Sequence, residues 1–93
     1  MIKHIVIWSL HNPADAPRMK ELLESCRHCV PGIITLEVGL RSDGLEANAD
    51  IVLYSVFEDK AALDAYQDHP DHMAVKAKVK PMCFSRTVLD YAA

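Results

Sequence analysis

The sequence predicts an α+β domain, a four-stranded antiparallel sheet with its helices packed on one face, in the chain order βαββαβ. Three observations lead there. Four stretches are rich in β-branched and aromatic residues, and two one-faced helical patterns lie between them. Turn-forming residues separate the six. Three of the strands are apolar on both faces, so both faces of the sheet must be covered.

Ile2 to Leu10 is the first strand. Ile2, His4, Val6, Trp8 and Leu10 share one face, and Ile5 and Ile7 lie on the other. His11-Asn12-Pro13 ends it. Asn12 or Asp15 can cap the next helix, and Pro17 fits its first turn because a missing N–H there has no partner anyway. Met19, Leu22, Leu23 and Cys26 follow at i, i+3, i+4 and i+7, opposite Lys20, Glu21 and Glu24. Pro31-Gly32 is the expected end of that helix. Ile33 to Arg41 is the second strand, with Ile34, Leu36, Val38 and Leu40 set against Thr35 and Glu37. Ser42 to Ala49, carrying Asp43-Gly44 and Asn48, is the long turn of a hairpin.

Ile51 to Phe57 is the third strand, with Ile51, Leu53, Ser55 and Phe57 alternating with Val52, Tyr54 and Val56. Asp59 caps a helix carrying Ala62, Leu63 and Tyr66. Pro70 interrupts it, since the residue before a proline is pushed out of the helical region. The same proline suits the first turn of a following helix, with Met73, Ala74 and Ala77 as its expected inner face and Pro81 at its end. Met82 to Tyr91 is the last strand.

That order is the ferredoxin-like split βαβ plan. Its helices cover one sheet face, and the other is apolar as well. Left bare, it would exceed the few hundred Å² of apolar patch that a soluble monomer usually shows. A second copy is expected to cover it, giving a homodimeric α+β barrel with a cavity between the two sheets or between sheet and helices.

Composition narrows the function classes. The 93 residues make a single domain spanning the whole chain, small enough to bury only roughly 60–65% of its unfolded surface. A formal net charge of -3 gives no reason to expect nucleic acid or an anionic membrane as partner. Lys76, Lys78 and Lys80 form the only basic cluster and read as a solvated helix face. No run approaches the ~18 apolar residues of a membrane span, and the apolar start lacks a small-residue cleavage site, so a cytoplasmic protein is expected. Three cysteines without paired spacing across the chain fit free thiols in a reducing compartment. Cys26-Arg27-His28-Cys29 has CxxC spacing but closes a helix, whereas redox motifs open one at its positive end. A core thiol and a surface thiol are expected there.

Lys3-His4-Ile5-Val6, Pro31-Gly32, the segment from Tyr66 to His72 with its His69-Pro70-Asp71-His72, and the Arg86-Thr87-Val88-Leu89-Asp90-Tyr91 ending resemble the stress-responsive A/B-barrel (Dabb) family. The likeness runs over nearly the whole chain and implies a dimeric barrel. Among the olivetolic acid cyclase-like members, one enzyme closes a polyketide by aldol condensation with a tyrosine and a histidine as acid–base groups. By that resemblance the two fall on Tyr66 and His72, and a first-strand pocket histidine falls on His4. Two further pocket residues of that enzyme, a histidine and a tyrosine, fall on Asp50 and near Leu23. Its substrate is therefore not carried over.

The segment from Tyr66 to His72 gathers a phenol, two imidazoles and two carboxylates, and it supplies the candidate site. His72 is the candidate general base, because imidazole titrates near neutrality and can accept and return a proton. Tyr66 is the candidate donor to a developing enolate oxygen. The plainer reading has His72 bonded to a backbone carbonyl at the helix junction and Tyr66 packed on the sheet. His4 is expected to contact a ligand. Trp8 and Tyr54 offer either packing surface or a stacking wall for a flat ligand, and His69 serves the turn and the next helix cap, with ligand contact as its sharper reading. Asp68, His69, Asp71 and His72 show no recognised metal geometry, and neither metal nor cofactor is expected.

The leading expectation is a homodimer that binds a small hydrophobic molecule in its barrel cavity, in a stress-associated role. The alternative is a small acid–base enzyme, cyclase-, isomerase- or lyase-like, that uses His72 and Tyr66 on a carbonyl compound. A third is a structural protein whose barrel is filled by side chains. Monooxygenases share this architecture, so fold alone selects none of them.

Overall fold

In the computed structural model, which describes residues 1–93, β1 (Ile2–Leu10) leads through a 3-10 turn (Pro13–Asp15) to α1 (Ala16–Glu24). β2 (Ile33–Leu40) and β3 (Ile51–Phe57) form the hairpin, and α2 (Lys60–Asp68), α3 (Pro70–Val79) and β4 (Cys83–Ala92) complete the chain. The sheet order is β2-β3-β1-β4, with every neighbouring pair antiparallel. This is the expected ferredoxin-like arrangement, including the break of the second helical segment at Pro70.

Each boundary has a local cause. Asn12 Oδ1 accepts from Ala14 N at 3.1 Å, so Asn12 rather than Asp15 provides the first cap. Asp59 Oδ1 accepts from Ala62 N at 2.8 Å and opens α2. α1 stops at Glu24, well short of the expected end at Pro31-Gly32. Ser25 Oγ donates to Leu22 O at 2.6 Å, and the next amides bond three residues back, Cys26 N to Leu23 O at 3.2 Å and Arg27 N to Glu24 O at 3.1 Å. The helix thereby tightens into a turn before any proline is reached. Gly32 then takes a φ of 92° while its carbonyl accepts from Glu58 N at 2.9 Å. A Cβ at that position would lie 2.8 Å from Ala62 Cβ, so the close approach to α2 also requires glycine.

Strand register sorts the sheet into two faces. His4, Val6 and Trp8 lie across from Ser55, Leu53 and Ile51 in β3 and from Asp90, Val88 and Arg86 in β4. On this face Met19, Leu22 and Leu23 of α1, Leu63 and Tyr66 of α2, and Val75 and Val79 of α3 close the core over Val6, Leu53 and Phe57. Lys3, Ile5 and Ile7 share the opposite face with Val52, Tyr54, Leu89 and Tyr91. There Ile7 stays 41% exposed and Leu89 64%.

The packing corrects two expectations. A bulge between Ile33 and Thr35 turns Ile34 out of the row it was to share with Leu36 and Val38, leaving it exposed. In α3 the buried residues are His72, Val75 and Val79, whereas Met73, Ala74 and Ala77 are exposed. Apolar residues fall all round this helix, so spacing does not select a face. A histidine occupies the core position that fixes it.

Candidate functional site

A cavity of about 610 Å³ opens between α3 and the helix-side face of the sheet. His4, Val6, Trp8 and Leu53 form its floor, and His72, Ala77, Val79 and Leu23 form its helical wall. Phe84 and Arg86 of β4 line the remaining side. Of the two positions open to it, between sheets or between sheet and helices, the cavity takes the second. One chain supplies all of these walls, and the exposed Ile7 and Leu89 lie on the far side of the sheet.

His4 is 3% exposed, and its Nδ1 hydrogen-bonds the carboxylate of Asp90 directly across the β1–β4 pair. Antiparallel register alone brings the two side chains within reach. A carboxylate only accepts, so Nδ1 of His4 carries the proton of this bond. Asp90 is a functional candidate that local spacing in the sequence does not reveal. The register of two strands more than eighty residues apart in the chain is what finds it.

His72 is buried, with Nδ1 3.3 Å from Gln67 O. The carbonyl also only accepts, so Nδ1 of His72 is the donor in this contact. Burial pushes its pKa below the ordinary histidine value, the charges of Lys76, His4 and Arg86 push the same way, and the Gln67 carbonyl opposes them. His72 is therefore neutral at pH 7 with Nε2 unprotonated, the state a base requires.

Tyr66 is fully buried, its ring centroid 4.1 Å from that of His72 and 5.2 Å from that of Phe57. It lines no part of the cavity. Its hydroxyl is buried without a hydrogen-bond partner, and burial together with Cys26 and Cys29 drives its pKa far above the usual tyrosine range. The phenol and imidazole meet by ring stacking, and the hydroxyl is not presented to the cavity. Direct proton donation from Tyr66 lacks the reach it needs.

The other candidates divide between the two sheet faces and the helix ends. Trp8 lines the cavity. Tyr54 faces the opposite side of the sheet, where Lys3 Nζ lies 5.8 Å from its ring centroid and 5.9 Å from that of Tyr91. The two aromatic residues therefore do not form one wall. His69 stands outside the cavity and caps α3, its Nδ1 accepting from Asp71 N at 3.1 Å. Asp50 accepts from Leu10 N at 2.8 Å and pairs with Arg41 Nε at 3.2 Å, away from the cavity, while Leu23 is on its wall.

All three cysteines are free. Burial and the neighbouring Cys26 thiol push Cys29 up to about 11, so this CxxC carries no thiolate at neutral pH. Nowhere do three or more histidine, cysteine, aspartate or glutamate side chains gather in a way that could hold a metal ion.

A model of the stress responsive A/B barrel domain matches residues 2–93. The chain belongs to that family. None of the curated proteins matches this A/B barrel protein. It is similar to a dimeric protein of unknown function and ferredoxin-like fold from Bacteroides fragilis, at 28% identity over 99% of this chain and 95% of that one, with a TM-score of 0.83. A Dabb family protein with a ferredoxin-like fold from Mesorhizobium loti is 25% identical over 99% of this chain and 95% of its own, with a TM-score of 0.75. A dimeric ferredoxin-like protein of unknown function from Thermobifida fusca is 24% identical over 99% of this chain and 90% of its own, with a TM-score of 0.87. No helix of the A/B barrel protein is long and apolar enough to cross a membrane.

Proposed function

We propose that this A/B barrel protein is a homodimer that binds a small, largely apolar molecule in the cavity between α3 and the sheet. The cavity carries the reading: about 610 Å³ of largely apolar wall, with two hydrogen-bonded imidazoles as fixed polar points. Small-molecule sites are built this way, from apolar surface and a few placed polar groups. A barrel filled by its own side chains would leave no such volume, which disfavours a purely structural role. The homodimer is supported by the apolar sheet face around Ile5, Ile7 and Leu89, and by the dimeric state of the Bacteroides fragilis protein.

The chain's single tryptophan, Trp8, lines the cavity, so its emission reports occupancy. Titration with medium-chain alcohols, ketones and acids is expected to change that emission saturably, with Kd in roughly the micromolar range. Ala77→Trp, which fills the cavity from α3, is expected to abolish ligand protection in a thermal-shift assay. A folded protein that responds saturably to no member of such a panel overturns the reading.

One arrangement supports a second reading, an acid–base enzyme of cyclase, isomerase or lyase type acting on a carbonyl compound. Neutral His72 can take a proton from the carbon beside a carbonyl, the electron pair passing to oxygen as an enolate, and return the proton at a different atom. Tyr66 belongs to this reading through its ring, which backs His72, and not as the proton donor. For a substrate that turns over, His72→Gln is expected to lower kcat by about 10²–10⁴-fold. Unchanged turnover removes His72 as the base.

A further inference from the structure

We infer that the molecule taken by this cavity is an amphipathic organic anion, its acidic group held at the mouth by Arg86 and Lys76 and its apolar body lying against Trp8, Val6 and Leu53. This deepens the binding reading and rests on it. The first observation is the sign of the charges. Lys76, Lys80 and Arg86 line the cavity, and no aspartate or glutamate does. That local excess runs against the chain as a whole, whose formal net charge is -3.

The second observation is that these cations are unclaimed. Arg18, Arg27, Arg41 and Lys60 each have a carboxylate partner, whereas Lys76, Lys80 and Arg86 have none. The third is their convergence. Lys76 follows His72 by one helical turn on α3, Lys80 follows Lys76 by another, and Arg86 enters from β4 directly across from Trp8. All three line the cavity and are exposed, which puts them at its solvent-facing mouth. The lysines that the sequence presents as one solvated row are thus divided: Lys76 and Lys80 reach the mouth, and Lys78 does not.

Physical chemistry selects the ligand class. Apolar walls of low dielectric focus the field of like charges placed at an opening, and so raise the local concentration of counter-ions. The guanidinium fork of Arg86 matches a carboxylate in a two-point hydrogen-bonded pair, which a neutral head group cannot reproduce. A cationic ligand would meet repulsion at the mouth. A neutral one would gain only from the walls.

The test compares decanoate with decan-1-ol, which share an apolar chain and differ in the head, on the full-length protein by calorimetry and Trp8 emission. Decanoate is expected to bind about tenfold more tightly at low ionic strength. The advantage should shrink as salt screens the exposed mouth. Arg86→Gln and Lys76→Gln are each expected to weaken decanoate by roughly three- to tenfold and to leave decan-1-ol unchanged, while Lys78→Gln changes neither. Equal affinity for the two probes, or no response to Arg86→Gln, overturns the anion assignment and leaves the cavity reading standing. Binding of neither probe by the folded protein overturns both.

Discussion

The two faces of the sheet are similar in apolar content and different in what their polar atoms do. On the helix side β1 presents His4, Val6 and Trp8, and three hydrogen bonds tie polar groups down there: His4 to Asp90, Ser55 Oγ to His4 O at 2.7 Å, His72 to Gln67 O. On the other side β1 presents Lys3, Ile5 and Ile7, and the Lys3 ammonium rests between the Tyr54 and Tyr91 rings. Apolar content says that both faces need cover. The polar pairing separates them: one face has hydrogen bonds fixed within the chain beside the cavity, while the other leaves Ile7 and Leu89 exposed and is the face on which a second copy is proposed.

The largest expected effect comes from breaking the exposed face. Ile7→Glu puts a charge among Ile5, Tyr54 and Leu89, where a partner would have to desolvate it. Association is expected to weaken by about a hundredfold or more, with monomer appearing in light scattering at micromolar concentration. Because the cavity lies on the far side of the sheet, decanoate binding should persist wherever the monomer stays folded. A dimer of unchanged affinity would place the interface elsewhere.

A smaller loss is expected from opening the hydrogen-bonded face. Asp90→Ala leaves His4 Nδ1 buried without its acceptor, at a cost of about 1–3 kcal/mol. The lower half of that range is favoured, since the Asp90 side chain is 38% exposed and water can replace part of what is lost. Asp90→Asn keeps an acceptor oxygen and should recover most of the stability. Urea unfolding of the two variants distinguishes the cases, and an unshifted midpoint for Asp90→Ala would mean that His4 is held by something else.

This contrast also marks how far the sequence is legible. Strand and helix order could be read because alternation and one-faced spacing are local properties, and Asp59 and Pro70 act within a few residues of themselves. The apolar character of the second face was equally local, since Ile5 and Ile7 declare it. What could not be read is what pairing decides. Nothing near Asp90 signals that it meets His4, and nothing near Tyr54 tells that it lies on the opposite side of the sheet from Trp8. α3 carries apolar residues all round, so its buried face is set by what the sheet and α1 offer it. His72 and Tyr66 do come together, but through stacked rings, with the hydroxyl turned away from the chemistry it was assigned.

A pH experiment sharpens the hydrogen-bonded side further. The folded pKa of His72 lies below its unfolded value, so as pH falls the unfolded chain takes up the proton first. The stability contributed by keeping this ring neutral is full above the unfolded value of about 6.5, declines as pH falls through the folded pKa, and levels off below it. Thermal midpoints from about pH 8 to about pH 5, compared with those of His72→Gln, isolate the effect from other titrating groups. The variant should show the shallower decline. Parallel curves would mean that the ring charges as readily in the fold as outside it.

The smallest expected change is at Tyr66, and it discriminates between two roles for that residue. A buried hydroxyl without a partner is a cost carried by the folded state, since the unfolded chain hydrates it. Tyr66→Phe removes the oxygen and keeps the ring that packs on His72 and Phe57. Unfolding free energy is therefore expected to stay unchanged or to rise by up to about 1 kcal/mol. Tyr66→Leu removes the ring too and should cost about 1–3 kcal/mol, while letting the His72 imidazole move off the cavity wall. If a carbonyl substrate is found, turnover should survive the first substitution and fall with the second. A phenylalanine variant that folds normally but loses turnover would return the hydroxyl to the reaction, and the stacked geometry would then have to open during the catalytic cycle.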